Sequence, residues 1–410
     1  MIDLLKVDDL NEAINKLYEE CKKNNFCSAF EMIDIDKSLG RIAHEDIISN
    51  ISVPGFNRSV VDGYAVVASD TNAASESVPV ILKQIGESFM GEECTISIKS
   101  GECVYVPTGG MIPSGADACV MIENTEKVNN ENIVIYSSVG SGKNIICAED
   151  DIKKGNVIIK KGKVLSAFDI GLLSSADIKE IKVFKKPNIT IISTGDELVS
   201  NKEVLTKGKI KDINTSVIKN LSINNGFNVI DCILIKDNEE DLEHTISKYL
   251  DRSDFIIISG GSSKGKKDAT SKIIDKISST GVLTHGIAIK PGKPTITGFD
   301  HKTNTAIIGL PGHPVASAVL FDLLVISIYK KLNYVTKKEY TCTGTMSENL
   351  PASPGRLTLQ LVNIDNDFNV FPILGKSGLI HTLSKADGYI LIDKDDEGIN
   401  KGDKVTVFYL

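Results

Sequence analysis

Residues 260–268 read Gly-Gly-Ser-Ser-Lys-Gly-Lys-Lys-Asp, which combines small residues, three lysines and one carboxylate. The segment follows an apolar run and precedes a helical pattern, where consecutive backbone amides and a helix N-terminus favour an anion. Its spacing approaches a Walker A loop, but Lys267 stands where that loop needs Ser or Thr to hold magnesium. A P-loop NTPase is therefore kept only as a rival, beside the alternative of a turn that binds nothing.

Three further segments carry groups that could bind a ligand. Residues 194–198 (Thr-Gly-Asp-Glu-Leu) suit a hard metal ion or a hydroxyl ligand, although such acids also occur in ordinary first helical turns. Residues 290–294 (Lys-Pro-Gly-Lys-Pro) place two lysines around a rigid turn, which suits an oxyanion, against the alternative of a solvated charged turn. Residues 310–314 (Leu-Pro-Gly-His-Pro) read as a tight strand-to-helix turn, in which a lone histidine carries little weight.

These segments are positioned by a regular alternation of apolar strands and helices. Unbroken apolar strands that alternate with helices predict a parallel doubly wound sheet, with ligands at the carboxyl ends of its strands. Those ends are 194–197, 260–268 and 310–313, so the candidate segments are expected at one edge. The predicted strands are 189–193, 227–235, 255–259 and 305–308, and the helices lie around 217–221, 239–250, 268–278 and 314–332.

Two other regions have β patterns. Residues 53–65 form a polar loop that is more typical of a site than of a core. A first helix is predicted behind Asp8 and Asp9 from apolar residues at helical spacing. Short runs at 78–82, 103–106, 118–122 and 133–136 predict a small mostly-β module, and runs at 357–362, 370–374, 389–392 and 404–409 predict a C-terminal barrel or sandwich.

Composition excludes several classes of function. The 410 residues are 41% hydrophobic and 24% charged, with a net charge of -8 that argues against general nucleic-acid binding. The length predicts roughly two to four domains. A signal-peptide pattern and a bilayer-spanning apolar run are absent, so we expect a cytoplasmic protein without a membrane partner. The eight cysteines form no CxxC pair and the six histidines lack metal-ligand spacing, which predicts reduced thiols.

Taken together, the motifs resemble the molybdopterin molybdenumtransferase family, which includes the C-terminal domain of gephyrin. Each motif is weak alone, but their order along residues 33–410 is highly specific. They are PGFNRSVVDGYAV (54–66), PTGGMIPSGADACVMIE (107–123), GKNIICAEDDIKKG (142–155), STGDEL (193–198), GKIKDIN (208–214), SGGSSKGKKD (259–268), IKPGKP (289–294) and LPGHPVAS (310–317).

The resemblance implies an enzyme that inserts molybdate into adenylylated molybdopterin, uses magnesium and releases AMP. It also implies a homodimer whose active site lies between the doubly wound domain of one subunit and the β module of the other. The adenylyltransferase of the same pathway is a candidate partner. The expected fold is α/β and multidomain. Its parts are an N-terminal linker and dimerisation domain (1–50 and 141–183), an inserted β module (51–140), a central doubly wound parallel-sheet domain that binds molybdopterin (184–334) and a C-terminal β-barrel-like domain (335–410).

Matching positions carry the family's functional residues over to this chain. Lys290 and Lys293 are expected to bind molybdate or phosphate oxygens. The residues assigned to catalysis are Asp151, Glu197, Asp212, Asp268, Lys290 and Lys293, and those assigned to magnesium are Glu197, Asp212 and Asp268. The residues assigned to cofactor binding are Asn57, Ser59, Asp62, Thr108, Gly260, Gly261, Ser262, Ser263, Pro311, Gly312 and Ser377.

The chain also departs from the family pattern. Ile146-Cys147-Ala148 replaces basic residues, which removes forked phosphate donors and keeps open a non-catalytic molybdopterin-binding scaffold. The lysine at position 264 stands where a small apolar residue is common, and with the next two lysines it offers compensating charge. Asn57 replaces the usual Asp, and a neutral amide is a weaker magnesium ligand and cannot act as a base. We expect Asn57 to make the enzyme slower or more cation-demanding, with simple loop shaping as the alternative.

Overall fold

The computed structural model describes residues 7–129, 131–260, 267–333, 335 and 341–410. They form an N-terminal region, an inserted β module, a six-stranded sheet with helices and a C-terminal barrel. Within these ranges no helix has the length and apolar character needed to cross a membrane. The predicted α/β multidomain fold class is thereby confirmed.

The first helix of the described residues packs against the central six-stranded sheet, which is formed by residues much later in the sequence. Asp9 caps this helix, because its side chain accepts a hydrogen bond from the Glu12 N–H at 2.8 Å. Leu17 and Cys21 pack into the core of the six-stranded sheet. The first elements are α1 (Leu10–Lys23), β1 (Phe30–Asp34), a 3₁₀ turn (Ile35–Lys37) and β2 (Ile47–Ile48).

The inserted module contains a six-stranded sheet and a separate two-stranded one. The strands of the larger sheet are β4 (Gly63–Val66), β5 (Val80–Glu87), β6 (Glu102–Val106), β7 (Ala118–Met121), β8 (Thr125–Lys127) and β9 (Asn132–Ile135), with 3₁₀ turns at Ala68–Thr71 and Ile122–Asn124. Their order is β7-β4-β6-β5-β9-β8, in which β5 and β6 run parallel. The smaller sheet pairs β3 (Arg58–Ser59) with β10 (Ile145–Ile146). The prediction of a polar loop throughout 53–65 was wrong at its end. Tyr64 and Ala65 lie in a central strand and pack into two different cores, one on each face.

After the module the chain returns to complete the N-terminal region. The returning elements are β11 (Val157–Ile159), α2 (Ala167–Ser175) and β12 (Glu180–Phe184). Strand β12 pairs antiparallel with β1, and β11 pairs antiparallel with β2. Two separated stretches of sequence therefore share one small core, which includes Ile47, Leu165 and Val183.

The next region carries most of the predicted site. Its elements are β13 (Asn188–Thr194), β14 (Leu198–Val199), β15 (Ile210–Lys211), α3 (Ile213–Asn224), β16 (Asn228–Ile235), α4 (Glu239–Tyr249), a 3₁₀ turn (Leu250–Arg252), β17 (Phe255–Gly260), α5 (Lys267–Ile277), β18 (Val282–His285), β19 (Ile289–Lys290), β20 (Ile296–Asp300), β21 (Thr305–Leu310), α6 (Pro314–Leu320), a π-helix (Phe321–Ile326) and α7 (Ser327–Leu332).

Helices cover both faces of this sheet, whose strand order is β16-β13-β17-β21-β20-β18. Ile191 and Ile257 pack with α1, α3 and α6 on one face. Ile192 and Ile258 pack with α4 and α5 on the other, which is the doubly wound arrangement. The first four strands in that order are parallel, as predicted, but β20 and β18 extend the sheet antiparallel.

The C-terminal region closes into a barrel. Strands β24, β25, β22, β28 and β26 form a ring, because β24 also pairs with β26. Of the two predicted alternatives, barrel and sandwich, the barrel is correct. Its elements are β22 (Thr341–Met346), β23 (Leu350–Pro351), β24 (Leu357–Ile364), β25 (Asn369–Pro372), α8 (Ile380–Lys385), β26 (Gly388–Ile392), β27 (Gly398–Ile399) and β28 (Lys404–Tyr409).

Candidate functional site

Strands β13, β17 and β21 end side by side at the carboxyl edge of the sheet. The register pairs Thr194 with Gly260 and Ser259 with Leu310, so the segments that follow these strands start next to one another. This is the edge at which doubly wound sheets bind ligands. The predicted convergence of the three strand-end segments is therefore confirmed for their described residues.

Gly260 occupies a position that only glycine suits. Its φ is +113°, and a Cβ at this position would lie 2.1 Å from the Thr194 carbonyl oxygen. Gly261, Ser262 and Ser263, which were assigned to cofactor binding, lie outside the described residues. Asp268 falls in the first turn of α5, and its side chain lies outside the described part of the chain.

Glu197 and Asp212 lie at opposite ends of a short parallel pairing. Strand β14 begins one residue after Glu197, its partner β15 ends one residue before Asp212, and the Ile210 N–H donates to the Glu197 carbonyl oxygen at 2.9 Å. The Glu197 side chain is exposed, whereas Asp212 is 7% exposed. One carboxylate oxygen of Asp212 accepts from the Thr215 N–H at 3.1 Å and caps α3. Asp212 therefore stands at the entrance to α3, and Glu197 lies at the far end of the pairing that leads to it.

Asn214 and Thr215, in the first turn of α3, together connect the ends of β13, β17 and β21 to this helix. The Asn214 amide nitrogen donates to the Ser259 hydroxyl and to the Gly312 carbonyl oxygen, both at 2.8 Å. Beside it, the hydroxyls of Ser193 and Thr215 share a hydrogen bond of 2.8 Å. The ends of β13, β17 and β21 are thus fixed to the N-terminus of one helix by side-chain hydrogen bonds.

The lysine turn lies next to the end of β21. Strand β20 follows this turn, and its first residue, Ile296, pairs with Gly309 near the end of β21. Lys290 donates to the Ser353 hydroxyl of the barrel region at 2.7 Å, and Lys293 is exposed. The turn therefore presents two ammonium groups at the edge that also carries Asp212.

The turn after β21 joins the sheet to the barrel. Pro311 is buried, and the Gly312 carbonyl oxygen accepts from Asn214. His313 Nδ1 and the Ser377 hydroxyl share a hydrogen bond of 2.8 Å, and the Val315 N–H donates to the Ser377 carbonyl oxygen at 3.3 Å. Ser377, predicted from the barrel region, is thereby placed at the same edge.

A second group of predicted residues lies in the inserted module. The Asp62 carboxylate accepts from the Thr108 N–H at 2.7 Å and from its hydroxyl at 3.1 Å. The Asn57 side-chain oxygen accepts from the Ala148 N–H at 2.8 Å, which holds the segment that leads to Asp151. These hydrogen bonds connect three loops, 53–62, 107–112 and 144–151, into one surface.

Two residues of this surface differ in what they can offer a ligand. Ser59 is 1% exposed, and its hydroxyl donates to the Val61 carbonyl oxygen at 2.6 Å. Beside it, burial raises the pKa of the Cys119 thiol, so this cysteine stays protonated. Asp151 is exposed, and its N–H donates to the Val53 carbonyl oxygen at 3.1 Å. Ser59 is thus buried and bonded within the fold, whereas Asp151 is accessible to a ligand.

The contacts described above fall within one surface or the other. The sheet edge carries Glu197, Asp212, Gly260, the lysine turn and Ser377. The module surface carries Asn57, Asp62, Thr108 and Asp151. The hydrogen bonds described for the sheet edge do not involve the module surface, and the reverse also holds. The side chains of each surface are therefore positioned independently of the other surface.

The predicted magnesium ligands supply the oxygen atoms that this cation prefers. Among the residues whose side chains are described, no group of three or more His, Cys, Asp or Glu is arranged to hold a metal ion. Glu197 and Asp212 offer two carboxylates, and the third predicted ligand, Asp268, has an undescribed side chain. The chemistry of the described donors fits a hard divalent cation, and the assignment of the three ligands stays a prediction.

A cavity of about 110 Å³ opens beside Asp212 and is lined also by Asn201, Thr215 and Cys232. Burial raises the pKa of the Cys232 thiol, so this cysteine is a poor nucleophile. A nucleotide-sized ligand needs a cleft of several hundred Å³, on the order of 300–1,000 Å³. The cavity is therefore too small to enclose such a ligand.

Sequence reasoning did not select three residues that the structure places at the sheet edge: Asn214, His313 as a partner of Ser377, and Ser353. Asn214 had a detectable signal, since it follows a helix-capping Asp in a strand-end segment. Ser353 had none, because its meeting with Lys290 spans 63 positions of sequence.

Comparison with known proteins agrees with this arrangement. The chain matches the MoeA N-terminal region (domain I and II) over residues 8–176, the "Probable molybdopterin binding domain" over 190–331, and the MoeA C-terminal region (domain IV) over 343–410. The matches leave few residues uncovered. Their order is the one in which the N-terminal region with its module, the sheet and the barrel follow along the chain.

Individual relatives match over most of the chain. A molybdopterin molybdenumtransferase of Haemophilus influenzae is 32% identical over 97% of this chain and 97% of its own length. Gephyrin of Dictyostelium discoideum is 33% identical over 79% of this chain and 49% of its own length. The crystal structure of a molybdopterin biosynthesis MoeA protein from Pyrococcus horikosii has a TM-score of 0.84 and 36% identity, covering 98% of this chain and 99% of that one. The chain therefore belongs to the MoeA family of molybdopterin molybdenumtransferases.

Proposed function

We propose that this protein inserts molybdate into adenylylated molybdopterin and releases AMP. The observation that carries the proposal is the sheet edge of a MoeA-family chain, where Asp212 caps α3 and the turn with Lys290 and Lys293 lies beside the end of β21. An activated pterin is a polyanion with a nucleotide, and this edge offers it cationic groups and backbone donors. The reaction type follows from the family, and the residues give it a location.

Lys290 and Lys293 have the role of holding oxyanion groups. Their ammonium groups lie on a turn whose two prolines restrict the backbone, so little conformational freedom is lost on binding. The hydrogen bond from Lys290 to Ser353 fixes one of them against the barrel region. Catalysis by such groups consists of positioning and charge stabilisation, as in other phosphoryl chemistry.

Glu197, Asp212 and Asp268 are the residues that would hold magnesium. When bound, the cation neutralises phosphate charge. Asp212 is suited to a fixed role because α3 begins at it and its carboxylate caps that helix. Glu197 is exposed and can turn towards the ligand without leaving a buried partner unpaired.

We further propose that the enzyme works as a cytoplasmic homodimer in which the module surface of one subunit faces the sheet edge of the other. Asp62, Thr108 and Asp151 are exposed on that surface and are therefore accessible to a second subunit. The adenylyltransferase that makes the activated pterin is the proposed partner enzyme.

The direct test is AMP release from adenylyl-molybdopterin by the pure protein with magnesium, with and without molybdate. The proposed function predicts AMP release that depends on molybdate. AMP release that is unchanged when molybdate is omitted contradicts it.

The same assay separates the alternatives. Tight molybdopterin binding without AMP release would identify a scaffold, the alternative raised by the missing basic residues at 146–148. ATP hydrolysis in the absence of any pterin would identify an NTPase, and none is expected because Lys267 stands at the magnesium-binding position of a Walker A loop.

A further inference from the structure

We propose that Asn214 is a positioning residue for the transfer reaction, whose amide group holds the end of β17 and the turn after β21 in register with Asp212. The inference rests on the proposed function. It comes from one side chain, 8% exposed, that donates hydrogen bonds to Ser259, which lies within the end of β17, and to Gly312 in the turn after β21.

The donors of Asn214 are fully used. An amide nitrogen carries two hydrogens, and each is given to a different strand-end segment at 2.8 Å. An Asp at this position keeps the shape but has no hydrogen to donate when ionised. The position thus requires an amide although carboxylates serve at nearby residues.

The other end of the same amide is unsatisfied. Among the described residues, which exclude 261–266, Asn214 Oδ1 is buried and has no hydrogen-bond partner. A buried acceptor left unpaired is costly, so stability alone does not explain an amide here. The Asn214 amide is explained if its two donated hydrogen bonds are needed for the geometry of the site.

A shift of either acceptor residue, Ser259 or Gly312, would also move the residue that follows it. Ser259 precedes Gly260, at which an added Cβ would lie 2.1 Å from the Thr194 carbonyl oxygen. Gly312 precedes His313, which contacts the barrel through Ser377. Asp212, two residues before Asn214, caps the same helix. The amide therefore sets the spacing between a carboxylate and the two segments that face it.

The first test compares Asn214→Asp with Asn333→Asp by steady-state AMP release. Asn333 is the matched control, because it is 1% exposed and donates its amide hydrogen to Tyr329 at 2.9 Å, away from the sheet edge. Misplacement of reacting groups predicts that Asn214→Asp lowers kcat at least about tenfold, with a smaller change in KM. Asn333→Asp is expected to lower the melting temperature and to leave kcat of the folded enzyme within about twofold.

A second test uses milder variants, in case Asn214→Asp fails to fold. If Asn214 acts through Ser259, then Asn214→Ala and Ser259→Ala remove the same bond, and their effects on kcat should not add in the double variant. Hydrogen exchange at the backbone amides of Leu310, Gly312 and His313 should rise in Asn214→Ala and stay unchanged in Asn333→Asp.

The outcomes separate the inference from the proposed function. Normal kcat in Asn214→Asp, or additive effects of the two alanine variants, overturns the positioning role. A wild-type protein without molybdate-dependent AMP release overturns the proposed function and, with it, the catalytic consequence assigned to Asn214. Unchanged exchange at Leu310, Gly312 and His313 in Asn214→Ala removes the structural basis of the inference in either case.

Discussion

Asp212 illustrates how one side chain at this edge serves both the fold and the proposed chemistry. Its carboxylate caps α3, and the same residue is a proposed magnesium ligand. Asparagine keeps an oxygen for the cap but loses the charge, whereas alanine loses both. The two roles can therefore be separated by two substitutions at one position.

We expect Asp212→Asn to lower molybdate-dependent AMP release at least about a hundredfold, the scale for losing a preorganised charged partner. Its stability should stay close to that of the wild type, whereas Asp212→Ala should lose ~1 kcal/mol more through the missing cap. AMP release and urea unfolding of the three proteins provide the measurement. Full activity of Asp212→Asn would limit this residue to capping.

Asn57 has a contact that decides how its departure from the family pattern is tested. Its side-chain oxygen accepts from Ala148 N–H, a contact that Asp would preserve and Ala would remove. This favours the loop-shaping interpretation over a metal ligand. We expect Asn57→Asp to leave the magnesium concentration for half-maximal AMP release within about twofold, since Asn and Asp support the same turns.

Asn57→Ala should lower activity by releasing the segment before Asp151. Magnesium titrations of the two variants and the wild type, at fixed substrate, provide the measurement. A clearly lower magnesium requirement in Asn57→Asp would instead support the expectation that Asn57 weakens cation binding at the active site.

At the scale of elements, strand β4 depends on a close approach that only glycine permits. A Cβ on Gly63 would lie 1.9 Å from the Val120 carbonyl oxygen in the adjacent strand β7. We expect Gly63→Ala to destabilise the protein by about 3 kcal/mol through forced separation of the two strands.

Gly140→Ala is the matched control in the same region, because its added Cβ would have no atom within 4 Å. We expect it to change stability by no more than about 0.5 kcal/mol. Thermal unfolding followed by circular dichroism measures both variants. Equal melting temperatures would mean that β4 and β7 can separate at little cost.

Helix α2 carries an acid-sensitive contribution to stability. Burial opposes ionisation of Asp169, but hydrogen bonds from Lys163 and Ser166 outweigh it and hold the pKa of this carboxyl below its ordinary value. A lowered pKa in the folded state stabilises the protein above the unfolded-state value, near 3.9 for Asp. That contribution is lost as pH falls from about 5 through the folded-state pKa.

We therefore expect the wild type to lose stability between pH 5 and 3 more steeply than Asp169→Asn, in which the titrating group is absent. Urea unfolding at several pH values in that range provides the measurement. Parallel pH profiles for the two proteins would show that this capping box does not contribute to acid sensitivity.

Sequence patterns predicted the elements whose environment is uniform. Strands β13, β17 and β21 are buried on both faces, so their apolar runs are unbroken and can be recognised in the sequence. Strand β4 was missed because its neighbours in sequence are polar loop residues, although its own side chains are buried. The pairs β1–β12 and β2–β11 join segments more than 100 residues apart, and no local pattern marks them.

The site was predictable to a similar extent. Strand ends identified the edge, because parallel strands bring their carboxyl ends together whatever the intervening helices. Hydrogen-bond partners such as Ser353 and the Asn214 contacts depend on three-dimensional placement. The predicted single helix over 314–332 contains a π-helical turn at Phe321–Ile326. This turn changes the direction in which the following side chains point, and no proline marks it in the sequence.

At the scale of the whole molecule, the helical segment from α6 to α7 makes the sheet and the barrel one packed body. Leu320 and Phe321 pack into the core of the sheet. Val315 and Val319 pack with Leu359 of the barrel. Because one helical segment is shared by two cores, Ser377 and Lys290 keep their places at the sheet edge.

Among the described residues, no core cluster joins the module surface to the sheet in this way. Its proposed contribution to the active site of a second subunit can be tested by mixing two variants. Asp62→Ala damages the module surface and Lys293→Ala damages the sheet edge. If each active site combines one surface from each subunit, both variants are inactive alone. A mixed dimer then has one intact site and one doubly damaged site.

Random reassociation of equal amounts makes about half of the dimers mixed, so activity should return to about one quarter of the wild-type value. The control pairs Lys293→Ala with Asp212→Asn. Both lie at the sheet edge, so mixed dimers contain no intact site and should stay inactive. The measurement is AMP release after unfolding and joint refolding of each pair. Absence of recovery in the first pair, with mixed dimers detected, would place the whole site within one subunit.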